Sequence, residues 1–199
     1  IYGIASGMSY LHLNNILHRD LKPGNIYLDD SLYPKTSGFN ISKEMNCKKI
    51  KPNKTIKGTP IYIAPEIYLH KGYCKANDVY SFALIVYELL TSRKPYSTIS
   101  NPKEILTEIV EQNNRPQFIN STEIPLKYQE LIERCWSPDP SSRPTFNEIV
   151  NELKTNEEYM TDDLNKEEVQ KYIDMINKSE VSFNTSNKIN QLDEYVRFK

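Results

Sequence analysis

The sequence predicts a mainly α-helical lobe with short β-strands around one polar loop. Several stretches place apolar residues at helical spacing, beginning with Ile4, Met8 and Leu11. The polar loop, residues 18–25, follows this first stretch and precedes a short apolar segment that is typical of a strand. At 199 residues the chain is long enough for one domain with a substantial core.

Composition excludes several classes of function. The chain has 25 basic and 26 acidic side chains, so no net field favours nucleic acid or a membrane surface as partner. Its three cysteines, Cys47, Cys74 and Cys135, are odd in number and far apart, which favours a reducing compartment over a disulfide framework. The longest apolar run, residues 79–90, is shorter than the roughly 20 residues that a bilayer requires. We therefore expect a cytoplasmic protein.

The first helix is predicted over residues 1–13, because its apolar residues fall on one face and Asn14 and Asn15 follow it. The chain starts at Ile1, and its first methionine, Met8, lies inside this helix. No secretory signal is evident in these residues. We expect the sequence to be a piece of a longer protein.

The polar loop reads His-Arg-Asp-Leu-Lys-Pro-Gly-Asn, which places Asp20, Lys22 and Asn25 on one turn. This spacing resembles the catalytic loop of protein kinases. The resemblance implies that Asp20 accepts the proton of a substrate hydroxyl, Lys22 steadies the transferred phosphate and Asn25 holds a metal ion, with His18 structural. The alternative is an ordinary polar turn, and the motifs that follow argue against it.

A short strand is predicted after the loop, beginning at Ile26. By the resemblance, Tyr27 occupies the position that lies under the adenine ring of ATP. An aromatic residue in a short strand is also typical of plain core, and both interpretations stay open.

The next motif departs from the family. Gly38, Phe39 and Asn40 stand where kinases carry Asp-Phe-Gly, so the aromatic residue is kept and the metal-binding carboxylate is lost. Mg²⁺ prefers carboxylate oxygens, and glycine offers no side-chain oxygen. Asn25 alone is a weak ligand, so impaired catalysis is expected. A single-base error would explain Gly38, but Asn40 would need a second one, which favours a genuine loss.

The polar stretch 44–57 corresponds to the activation loop. Thr55 is a candidate phosphosite that would pair with Arg19, although it also fits an ordinary solvated loop residue. Residues 58–66, Gly-Thr-Pro-Ile-Tyr-Ile-Ala-Pro-Glu, resemble the kinase segment that binds the substrate. Thr59 together with Lys22 indicates specificity for Ser and Thr.

Structural anchors follow in the second half. Asp78 can cap a buried helix and, by the resemblance, also bonds the backbone of the catalytic loop from below. Residues 135–144 resemble the end of kinase domains in the tyrosine-kinase-like group, which implies a buried ion pair between Arg143 and Glu66. Three more helices are predicted: one starts at Pro102, one spans about 125–136, and one follows a Thr145–Glu148 capping box.

The resemblance covers residues 1–154 and implies a kinase C-terminal lobe, since the Gly-rich loop and strand Lys of the N-terminal lobe are missing from the sequence. Residues 155–199 are predicted to be a polar, solvated linker or partner-binding tail with a helix near 165–177.

Three functions remain open. The first is a Ser/Thr protein kinase that uses ATP and Mg²⁺ on a protein substrate, with impaired catalysis in this chain. The second is a pseudokinase that binds or scaffolds a protein partner. The third is a truncated lobe without its own function, which would expose apolar surface.

Overall fold

The computed structural model describes residues 1–45, 56–118, 124–161 and 164–185, without the side chains of Pro102 and residues 179–185. The helices are α1 (Tyr2–Leu13), α2 (Pro65–Tyr68), α3 (Lys75–Thr91), α4 (Pro102–Val110), α5 (Leu126–Cys135), α6 (Phe146–Thr155) and α7 (Lys166–Thr185). The strands are β1 (Ile16–Leu17), β2 (Ile26–Leu28), β3 (Pro34–Thr36) and β4 (Lys43–Glu44). β1 pairs antiparallel with β4, and β2 with β3. The predicted mainly helical lobe is confirmed.

Helix α3 forms the centre of the lobe. All its residues from Asn77 to Tyr87 are buried. Helix α5 and the segment before α2 pack on it, and it contacts α1 through His12 and α6 through Phe146. The Phe82 and Phe146 rings meet edge to face at 5.3 Å, which joins α3 to α6. A helix that is apolar on most of its circumference is stable only when it is covered in this way.

The helix starts explain one error of the sequence interpretation. Helix α3 begins at Lys75, where the Asn77 side chain accepts a hydrogen bond from the Cys74 backbone N–H. Asp78 lies inside the first turn and does not cap the helix, so the capping interpretation of this residue is wrong. The predicted Thr145–Glu148 capping box of α6 is confirmed, with both reciprocal bonds present.

The segment after residue 154 differs from the expected solvated tail. Tyr159 is buried beside Tyr128, with the two rings 4.9 Å apart, and Ile173 of helix α7 is only 1% exposed. Helix α7 also continues to Thr185, beyond the predicted end. Helix α7 has few apolar residues among many charged ones, so its sequence alone does not show which face is buried. In the described ranges no helix combines the length and apolarity that a membrane crossing requires.

Candidate active site

The loop 18–25 connects β1 to β2 and closes with a tight 3₁₀ turn, Pro23–Asn25. The backbone N–H of Asn25 donates to the Lys22 carbonyl at 3.0 Å. Proline fixes its own φ at the start of this turn, and Asn25 Nδ2 then reaches the Asp20 carbonyl at 2.7 Å.

Asp78 holds this loop from below. Its Oδ2 accepts hydrogen bonds from the backbone N–H of His18 and from His12 Nε2, and its Oδ1 accepts from the Arg19 backbone N–H, each at 2.9 Å. Burial pushes the pKa of Asp78 up, but the hydrogen bonds from His12 and from the Arg19 backbone outweigh this and leave the pKa below its usual range. Arg19 takes a left-handed φ of 66° in this arrangement.

His12 was missed by the sequence interpretation. It continues the Ile4–Met8 row of helix α1 at the same four-residue spacing, which is also typical of core. No motif marks such a residue, because its partner Asp78 lies on another helix.

His18 joins the loop to the segment that contains Phe39. Its Nε2 donates to the Ser37 carbonyl at 2.7 Å, which leaves Nδ1 to accept from the Asp20 backbone N–H at 3.3 Å. The Phe39 ring packs against it with centroids 5.3 Å apart. The predicted structural residues His18 and Phe39 therefore lie in contact.

Three predicted site residues converge on the carboxylate of a fourth, Asp20. Asp20 Oδ1 accepts from the Thr59 hydroxyl at 2.8 Å, and Oδ2 lies 3.0 Å from Asn25 Nδ2 and 3.1 Å from Lys22 Nζ. Lys22 Nζ also donates to Thr59 Oγ1 at 2.7 Å. The Asp20 and Lys22 side chains stay partly exposed, so this cluster is accessible from solvent.

The side chain of Asn25 lies directly against residue 38. Gly38 has a left-handed φ of +82°, and a Cβ built on it would lie 2.4–2.6 Å from three side-chain atoms of Asn25. The Asn25 amide therefore occupies the space beside this glycine, and its Nδ2 donates to both the backbone carbonyl and the carboxylate of Asp20. Asn40 is exposed in the 3₁₀ turn that follows.

These residues do not fit Mg²⁺. The ion requires near-octahedral oxygen ligands and is usually held by carboxylates, whereas Gly38 contributes no side-chain oxygen and Asn25 turns its N–H groups toward Asp20. Across the described ranges no group of three or more His, Cys, Asp or Glu side chains could hold a metal ion.

The Arg19 side chain contacts other protein groups, Ile41 and Tyr73. Its guanidinium donates to the Ile41 carbonyl and lies 5.3 Å from the centre of the Tyr73 ring. The Tyr73 hydroxyl accepts from the Lys57 N–H and donates to the Lys57 carbonyl, both at 2.9 Å. Tyr73 was also missed by the sequence interpretation, and Thr55, the candidate phosphosite, lies outside the described residues.

The predicted substrate segment is tied to helix α3. The Tyr62 hydroxyl donates to Glu88 Oε2 at 2.6 Å, and Ser81 Oγ donates to the Tyr62 carbonyl at 2.7 Å. Burial and the neighbouring Glu88 carboxylate raise the pKa of Tyr62 above its ordinary value.

The segment ends in a buried ion pair between Arg143 and Glu66, as the resemblance implied. The pairing is bidentate, with distances of 2.6 and 3.0 Å, and the Arg143 side chain is fully buried. Arg143 also donates to the carbonyls of Ala76 and Ser137. It thereby joins three separate parts of the lobe.

Tyr27 is on the exposed face of β2, where 61% of its surface is accessible. The plain-core interpretation of Tyr27 is therefore wrong. Its neighbour Leu28 is 63% exposed, so β2 presents an apolar surface at the edge of the site. The adenine-binding role of Tyr27 stays a prediction.

The fold and this loop are those of the C-terminal lobe of a kinase domain. Residues 1–153 match the model of the protein kinase domain, and the chain belongs to that family. It is 37% identical to serine/threonine-protein kinase STY17 of Arabidopsis thaliana over 150 residues, covering 75% of this chain and 25% of that protein. Serine/threonine/tyrosine-protein kinase HT1, also of Arabidopsis thaliana, is 37% identical over 162 residues, which are 81% of this chain and 40% of that protein.

Dual specificity protein kinase shkC of Dictyostelium discoideum is 34% identical over 152 residues, covering 75% of this chain and 30% of that protein. The chain thus spans between a quarter and two fifths of the length of these relatives. The predicted membership in the Ser/Thr type of kinase domain, in the tyrosine-kinase-like group, is confirmed.

Proposed function

We propose that this lobe receives a Ser or Thr hydroxyl of a protein at Asp20, as the family does when it transfers the γ-phosphate of ATP, and that transfer by this chain is impaired. The observation that carries the impairment is the Gly38–Asn25 contact. Position 38 has no side-chain ligand atom, and the amide of Asn25 fills the adjoining space.

The substrate site is argued from the acceptor capacity of Asp20. An ionised carboxylate offers about four lone-pair positions. Within the described ranges Thr59 donates a hydrogen bond to Oδ1 and Asn25 donates one to Oδ2, and the Lys22 ammonium lies 3.1 Å from Oδ2 as an ion-pair partner. A substrate hydroxyl would donate to the remaining position on Oδ1, which is how a general base holds the proton that it accepts.

Lys22 and Thr59 have supporting roles in this proposal. The Lys22 ammonium lies beside the Asp20 carboxylate and places positive charge next to the incoming hydroxyl. Thr59 bonds both residues and fixes their separation. Positioning and charge of this kind supply nearly all catalysis of phosphoryl transfer.

Glycine at position 38 is expected to lower the rate of phosphate transfer, because it removes one charge-stabilising contact. Loss of one main charge-stabilising contact typically costs about 2.7–4 kcal/mol, equivalent to 10²–10³ in rate. Within the described residues Mg²⁺ therefore lacks the carboxylate ligand that the family supplies at this position.

A second candidate function is a pseudokinase that binds a protein partner through the same lobe. It is favoured by the anchors that are present around the altered metal position. Asp78 holds the loop, and the Glu66–Arg143 pair holds the substrate segment. A lobe with these anchors would keep the shape of its peptide-binding surface even if it transfers no phosphate.

Transfer of labelled phosphate from ATP to a pool of Ser- and Thr-containing peptides tests the proposal, with the chain compared to its Asp20→Asn variant. Impairment predicts that the two proteins give the same background rate. A chain that exceeds Asp20→Asn by about 10²-fold or more would overturn it.

Peptide binding to the same two proteins separates the candidates. Shifts of the backbone amide signals of the non-proline residues within 59–66 on peptide addition, without turnover, would favour the binding module. The substrate-site proposal further predicts that Asp20→Asn weakens this binding for Ser and Thr peptides relative to matched Ala peptides.

A further inference from the structure

Helix α7 contacts the lobe through Tyr172 and Ile173. The Tyr172 ring stacks on Tyr33, with centroids 4.4 Å apart and planes 25° apart, and meets Tyr2 edge to face at 6.3 Å. Aromatic pairs in these geometries stabilise a contact beyond the area that they bury. Ile173, the next residue, is 1% exposed.

Gly3 makes room for this contact. A Cβ built on Gly3 would lie 2.0 Å from the Tyr172 hydroxyl oxygen and 2.6 Å from Pro34 Cγ. Gly7, one turn further along helix α1, is different, because its nearest neighbour is Thr36 Oγ1 at an ordinary 3.4 Å. The tyrosine therefore packs directly on the helix backbone at Gly3.

The same residues belong to the hairpin that carries the site. Tyr33 and Pro34 lie on the β2–β3 hairpin, whose two ends are Asn25 and Ser37. The Ser37 backbone N–H and hydroxyl both donate to the Asn25 carbonyl, at 2.8 and 3.1 Å. A shift of the hairpin would therefore move the backbone at Asn25 and Ser37, and with it the next residue, Gly38.

We propose that Gly3, Tyr33 and Pro34 form a docking notch for Tyr172 of this chain, and that docked helix α7 fixes the β2–β3 hairpin and the Asn25–Ser37 backbone at its base. Helix α7 is thus a built-in strap of the site. Burial, together with the nearby Asp29, Tyr33 and Tyr2, raises the pKa of Tyr172 to about 12, in keeping with an enclosed hydroxyl. The inference does not depend on whether the chain transfers phosphate.

Amide hydrogen exchange of the 199-residue chain tests the notch, with Gly3→Ala compared to Gly7→Ala. Both changes replace a glycine of helix α1 by a better helix former, and only the first places a methyl group against Tyr172. Gly3→Ala is expected to speed exchange in helix α7 and at the Ser37 amide by about tenfold or more. Gly7→Ala is expected to exchange as the unchanged chain does at both places.

Two results would overturn the proposal. Unchanged exchange in helix α7 of Gly3→Ala would show that Gly3 is not part of a docking notch. Faster exchange in helix α7 with an unchanged Ser37 amide would show that the strap does not fix the site.

A loss of protection throughout the lobe would indicate that Gly3→Ala unfolds the chain. Tyr172→Ala removes the ring and adds no methyl group to helix α1. Exchange in helix α7 and at the Ser37 amide of this variant then tests the proposal. The variant's global unfolding midpoint should stay close to that of the unchanged chain while helix α7 and Ser37 exchange faster.

Discussion

Removal of Arg143 should cost more stability than any surface change of the same kind. In Arg143→Met the Glu66 carboxylate, whose side chain is 7% exposed, keeps one side-chain donor among the described residues, the Nδ2 of Asn77. The carbonyls of Ala76 and Ser137 lose a donor as well. Breaking a buried pair from one side costs about 3–5 kcal/mol, because an uncompensated charge stays buried.

Urea unfolding of the chain measures this cost, and Arg134 supplies the matched control. Arg134 also pairs with a carboxylate, Glu152, at 2.7 Å, but its side chain is 46% exposed. Arg134→Met should therefore lose about 1 kcal/mol or less. Since a domain of this size has roughly 5–15 kcal/mol in total, Arg143→Met should unfold at a much lower urea concentration. Equal losses in the two variants would refute the reasoning.

Two further outcomes follow from the contacts of the site. Tyr73→Phe removes both bonds to Lys57, each contributing about 0.5–1.5 kcal/mol, and should speed exchange of the Lys57 amide. Tyr68→Phe, which loses a bond to the Pro60 carbonyl instead, should leave that amide unchanged. Equal exchange in the two variants would contradict the role of Tyr73. Asp78, whose pKa is lowered, should contribute its full stability above its unfolded pKa near 3.8 and lose it as the pH falls through the lower folded value. The stability gap between the chain and Asp78→Asn should therefore narrow below about pH 4, and a gap that stays constant in acid would contradict this.

Short-range patterns made much of the fold predictable. The helical spacing of α1 and the Thr145–Glu148 capping box depend on neighbours in sequence, so they can be read directly. Lys22 and Asn25 were predictable beside Asp20 for the same reason, because they lie within one turn, whereas Thr59 came from the family resemblance. Glu66 and Arg143 are far apart in sequence, and their pairing came from the family resemblance.

Contacts between distant elements were not predictable from the residues. Asp78 was open to a capping interpretation because the true start of helix α3, at Cys74 and Asn77, lacks the usual Ser, Thr or Asp cap. His12 and Tyr73 are polar groups on buried faces, and no spacing rule connects them to their partners. The docking of Tyr172 depends on the missing Cβ of Gly3 at the other end of the chain.

Titration of the ¹⁵N-labelled chain with MgCl₂, followed at the amides of Gly38 and Asn25, tests the altered metal position most directly. With no ligand at position 38, neither amide of the chain should show a saturable shift up to about 10 mM Mg²⁺, whereas Gly38→Asp, once Asn25 has moved aside, should gain one. A saturable shift of the Gly38 amide in the unchanged chain, abolished by Asn25→Ala, would contradict the account.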